Sequence, residues 1–136
     1  VFLNHVSALD GHADSQIAFA AFQRGNSKFR NMPWWDDSIW LPFEFSGVGT
    51  IESDFPTFVG SCPALLRELE IIKSLSQLDL GAKPPGYDEM REDIKAFYKS
   101  THARFDEADT IRWIWRVLYD GAEIAMTSKS ILWAGP

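Results

Sequence analysis

Apolar positions recur three and four apart through most of the second half of the chain, but fall in short clusters and alternating pairs through the first 60 residues. The two halves therefore predict different structure. The firmest helix start is Gly60-Ser61-Cys62-Pro63, where Pro63 suits the first turn and Ser61 or Cys62 stands at the cap. Leu65, Leu66, Leu69, Ile72, Leu75 and Ser76 then form one stripe with Arg67, Glu68, Glu70 and Lys73 facing away, predicting a helix over 62–79. Gly81-Ala82-Lys83-Pro84-Pro85-Gly86 breaks it. Met90, Ile94, Phe97, Tyr98 and Thr101 repeat the helical spacing over 87–104, with Asp88, Glu89 and Glu92 at the end where the macrodipole favours acids. Ile111, Ile114, Trp115, Leu118, Ala122 and Ala125 predict a last helix over 109–127, started by Asp109 or Thr110. Gly121 weakens that helix by ~1 kcal/mol relative to Ala, which makes sense where another element must approach closely. Ile131-Leu132-Trp133 reads as a short strand or an anchored tail.

In the first half, Asp14 or Ser15 can cap a short helix over 14–24 whose apolar positions are Ile17, Ala18, Ala21 and Phe22, with Gly25 at its end. Residues 25–38 read as loop. Ile39 to Phe45 reads as extended, and Pro42 would confine it to an edge strand or a path outside a sheet. Residues 46–50 form a turn, and 57–59 a second short strand. The expected architecture is α+β and predominantly helical: C-terminal helices packed together, with a small sheet or irregular layer from the N-terminal part. At 136 residues the chain fits one domain, 1–136, large enough to bury a real core.

Charge changes the picture. Between Asn31 and Leu66 there is no Lys or Arg, yet Asp36, Asp37, Glu44, Glu52 and Asp54 all fall there, five charges of a net -6. Trp34, Trp35, Trp40, Phe43, Phe45, Phe55 and Phe58 share the stretch. Acidic aromatic surface suits a basic protein partner: complementary fields speed encounter, and desolvated aromatic anchors supply most of the affinity. The candidate contact residues are Trp34, Trp35, Asp36, Asp37, Trp40, Glu44, Glu52 and Asp54. A pI near 4.9 argues against nucleic acid or an anionic membrane as ligand. The lone Cys62 permits no internal disulfide, so a cytoplasmic setting is expected. No signal peptide is read at Val1-Phe2-Leu3-Asn4-His5, and the missing Met fits a trimmed or processed start.

Candidate chemistry is sparse. His5, Asp10, His12 and Asp14 form the one dense group of potential metal ligands, and a divalent ion there would make a small hydrolase. The alternative is an ordinary turn, with Asp10 bonding its own backbone and Gly11 at positive φ. Cys62 at a helix N-terminus would feel a lowering of its pKa, but without a linked base the favoured reading is a buried or capping thiol. Acids between Trp residues are also a glycosidase pattern, on a chain small for one. Gly47-Val48-Gly49 lacks the rest of a phosphate loop, so no cofactor is implied.

Met32-Pro33-Trp34-Trp35-Asp36-Asp37, the helix from Gly60 through Leu69, and a Trp-rich final helix ending in Leu132-Trp133-Ala134-Gly135 together resemble in layout the small bacterial immunity proteins of polymorphic-toxin and contact-inhibition systems. The resemblance spans about the last 100 residues and includes no diagnostic motif. It implies a cytoplasmic, non-enzymatic protein that blocks a cognate toxin, often a basic nuclease, and it transfers no individual binding residue. The expected function is therefore an inhibitor of a basic protein partner. The alternatives are the metal-dependent hydrolase and a structural homodimer whose Trp-rich faces bury one another.

Overall fold

The computed structural model describes residues 1–34, 37–52, 56–88 and 105–135. Among them are four helices, α1 (Phe2–Leu9), α2 (Ser15–Gln23), α3 (Cys62–Leu75) and α4 (Glu107–Ser128), and four strands, β1 (Ser38–Leu41), β2 (Gly49–Ile51), β3 (Thr57–Ser61) and β4 (Leu132–Ala134). The fold is α+β and mainly helical, as the periodicity predicts. The expected helix over 87–104 lies, from Glu89 onward, outside the described residues.

Caps set the helix starts. Asp14 accepts from the Ile17 N–H at 3.0 Å and opens α2, while Asn4 of α1 accepts from the Ser15 N–H at 2.9 Å and ties the two together. Ser61 caps α3, accepting from the Ala64 N–H at 3.4 Å. Asp106 caps α4, accepting from the Asp109 N–H at 2.7 Å, so this helix starts earlier than Asp109 or Thr110 would place it. Removing that acceptor by Asp106→Ala is expected to cost about 1 kcal/mol in urea unfolding. Helix α1 was not expected from the sequence, which gives it no start signal: Val1 makes no side-chain cap bond and the first turn holds no acid. Burial of Phe2 and Val6 holds it instead.

The strands form one mixed sheet in the order β2-β3-β1-β4. β1 runs parallel to β3 and antiparallel to β4, and β2 pairs antiparallel with β3. Pro42 was expected to hold the 39–45 segment at an edge, but β1 is an inner strand. It stops at Leu41, so the residue that cannot donate lies just beyond the ladder. The turn expected over 46–50 likewise ends in a strand, because Gly47 at φ 82 reverses the chain and Gly49 enters β2.

Alternation divides the sheet into two faces. Ser38, Trp40, Phe58 and Gly60 point inward and are buried. Phe22 of α2 meets Phe58 at 6.0 Å between ring centroids, and Phe58 meets the edge of Trp40 at 6.1 Å. Helices α3 and α4 bury Leu65, Leu69, Ile72, Ile111, Trp115 and Leu118 in the same core. Leu132 of β4 reaches Gly121 of α4 so closely that a Cβ there would lie 2.8 Å from Leu132 Cδ1. The glycine in the helix is thus where a strand comes closest.

Candidate protein-binding face

The outward positions of the sheet make a continuous surface. Cross-strand register lines up Gly49, Val59, Ile39 and Trp133 in one row, with Ile51 and Thr57 in the next. Asp37 sits two residues before Ile39 and so on the same side. Its Oδ1 accepts from Trp133 Nε1 at 2.6 Å and its Oδ2 accepts from Thr57 Oγ1 at 2.9 Å. Its backbone carbonyl takes the Phe58 N–H, which fixes the carboxylate at the start of the ladder. Trp133 is 61 % exposed and Ile51 53 %, while Ile39 and Val59 are half-buried between them.

Trp133 is held despite its exposure. Besides the bond to Asp37 and the strand pairing with Ile39, Gly135 approaches the ring closely: a Cβ at that position would lie 2.4 Å from Trp133 Cζ2. An exposed indole fixed at its polar end loses little conformational freedom when a partner covers it. Sequence reasoning placed Trp133 on a short strand but not at the site, because Asp37 is 96 residues away along the chain. The readable signal was the alternation of Leu132 and Trp133, one facing in and the other out.

The acidic aromatic tract does not form one patch. Trp40, expected as a surface anchor, is 0 % exposed, and its indole donates to the Asn31 carbonyl at 2.7 Å. It is a core residue, because its place in β1 faces the helices. Trp34 is half-buried; its indole donates to the Phe29 carbonyl at 2.8 Å and its ring lies 6.1 Å from Phe22. Glu44 is exposed but not uncompensated. Arg67 of α3 forks onto both of its oxygens at 2.7 and 2.6 Å, and that contact lowers the carboxyl pKa. Glu52 is exposed just past β2. Trp35, Asp36 and Asp54 lie outside the described residues. Among the described residues expected as contacts, Asp37 is the one joined to an exposed indole.

The proposed metal ligands are occupied elsewhere. Asp14 caps α2, and His5 Nε2 lies 2.9 Å from Ser76 Oγ with its pKa lowered by burial. Asp10 accepts from Ser27 Oγ and the Lys28 N–H rather than bonding its own turn, although Gly11 does adopt positive φ. Only the Asp10–His12 pair is retained, at 3.3 Å. Among the described residues no three His, Cys, Asp or Glu side chains gather as a metal site. Cys62 is fully buried; burial pushes its thiol up, against the lowering expected from the helix terminus. The thiol contacts the Trp40 carbonyl at 3.6 Å.

A cleft of about 540 Å³ opens between α1, the turn after α3 and the start of α4, lined chiefly by Leu9, Leu75, Leu78 and Ile111 with His5 and Glu107. It has the size of a small-molecule site. No described helix is long and apolar enough to cross a membrane. Comparison of the chain with protein-family models, curated proteins and solved structures finds no match.

Proposed function

We propose that this domain is a non-enzymatic protein-binding module, an immunity or inhibitor protein that neutralises a basic partner, with the outer face of the sheet as its contact surface. The observation that carries the reading is Trp133: the most exposed large apolar side chain among the described residues is also tied down at three points. Binding hot spots combine an aromatic anchor with a fixed geometry, and an apolar row of Val59 and Ile39 beside it supplies area to desolvate. The net charge of -6 favours a basic partner through long-range steering. A bacterial toxin fits these requirements, and a cytoplasmic inhibitor of it fits the resemblance in layout.

The test is binding to the product of the neighbouring reading frame on the chromosome. Trp133→Ala is expected to weaken that complex by ~2 kcal/mol or more, about 30-fold in Kd, with no comparable change in the unfolding midpoint. Asp37→Asn should also weaken the complex and flatten its salt dependence. Wild-type affinity in both variants would remove this face as the site. Sedimentation of the free protein separates a monomeric inhibitor from a homodimer that buries the same surface.

A further inference from the structure

We infer that the group this face reads on its partner is an arginine guanidinium, seated on the Asp37 carboxylate and against the face of the Trp133 indole; the inference rests on the protein-binding reading above. An ionised carboxylate offers about four lone-pair positions, two on each oxygen. Trp133 Nε1 uses one on Oδ1 and Thr57 Oγ1 uses one on Oδ2. One acceptor position remains on each oxygen, and a guanidinium fork can engage two acceptors at once with two parallel N–H bonds. An ammonium group would fill only one of them well, so the geometry favours Arg over Lys.

Charge and stacking point the same way. Among the described residues no Lys or Arg forms an ion pair with Asp37, whereas Glu44, Asp88, Asp109 and Asp120 each have a cation of this chain beside them. The carboxylate next to the exposed indole is thus left for a cation from outside. Trp is the best aromatic partner for such a cation, and Arg is the side chain most often found over it. The Trp133–Asp37 bond does two things here. It holds the ring beside the acid, and it orients the acid before the partner arrives. Ile39 and Val59 in the same row would cover the aliphatic stem of the arginine.

The experiment titrates the isotope-labelled domain with acetyl-Gly-Arg-Gly-amide and follows the Trp133 indole N–H resonance, assigned by its disappearance in Trp133→Phe. Lysine and citrulline versions of the peptide serve as comparisons. A saturable shift is expected with the arginine peptide, about 5-fold weaker binding with lysine and none with citrulline. The arginine response should weaken with added salt and fall about 10-fold in Asp37→Asn, whose amide oxygen can still hold the indole. Equal responses to arginine and citrulline, or no saturable response in the wild-type protein, would overturn the inference without any variant being needed. If the cognate complex depends on Trp133 while the arginine peptide has no effect, the binding face stands and the guanidinium falls. If the peptide binds but the complex is indifferent to Trp133, the pocket stands and the proposed function falls.

Discussion

Trp40→Ala is expected to lower the stability of the domain by about 4 kcal/mol or more, a large fraction of what a domain of this size has to lose. The ring is sealed from solvent and packed on Phe58, so truncation leaves a large cavity, and losses of ~3–5 kcal/mol are usual for that change alone. It also strips the Asn31 carbonyl of its indole donor, and a buried acceptor without a partner adds ~1–3 kcal/mol. Asn31 makes the loss spread. Its side-chain oxygen accepts from the Ser61 N–H at 3.0 Å, at the junction of β3 and α3, while its own N–H donates to Glu68. One residue thereby ties the loop after α2 to β1, β3 and α3. Urea unfolding measures the effect, and Trp40→Phe, which keeps a ring but not the donor, should fall between. If Trp40→Ala unfolded within ~1 kcal/mol of wild type, the core position assigned to this indole would be wrong.

That expectation turns on a distinction the sequence could not make. Trp34, Trp40 and Trp133 are the same residue type with the same appetite for a polar partner, and each finds one, at Phe29 O, Asn31 O and Asp37 Oδ1. For Trp40 and Trp133, which of them faces water depends on strand register, a property of pairings far apart in the chain. Helical stripes are legible because their contacts repeat every three or four residues. The buried positions Leu65, Leu69 and Ile72 of α3, and Ile111, Trp115, Leu118, Ala122 and Ala125 of α4, follow that rule. Glu68 breaks it: the stripe places a glutamate on the solvent side, and the structure buries it against Asn31. The charge tract misled for the related reason that an acid's partner need not be near it in sequence. Arg67, 23 residues on, neutralises Glu44, and β4 brings Trp133 from the far end of the chain to Asp37.

Glu68 is expected to make the domain less stable as pH rises from 4.5 to about 7, by up to about 3 kcal/mol. Burial pushes its pKa up to about 7, and the hydrogen bonds from Asn31 and the Arg30 backbone, with the Arg30 charge, offset only part of that rise. A raised carboxyl pKa means that the folded state holds a proton that the unfolded state has already released. Stability is therefore fullest below pH 4.5, declines through the interval, and levels off above about 7. His5 acts in the opposite sense: burial lowers its pKa, so the folded state binds fewer protons and stability rises with pH below 6.5. The two overlap, and the variant separates them. Glu68→Gln keeps one oxygen to accept from the Asn31 N–H, where the glutamate uses two at 3.0 and 2.9 Å, and it cannot ionise. Near pH 5 the variant should resemble the protonated wild type, and by pH 8 it should be the more stable protein. The cleft of about 420 Å³ that Glu68 shares with Lys28, Arg30, Glu44 and Arg67 gives the buried carboxyl a route to exchange its proton with solvent. Unfolding free energies of the two proteins that run parallel from pH 4.5 to 8 would mean that Glu68 ionises as an ordinary surface carboxylate does, and that its burial against Asn31 contributes nothing to the pH response.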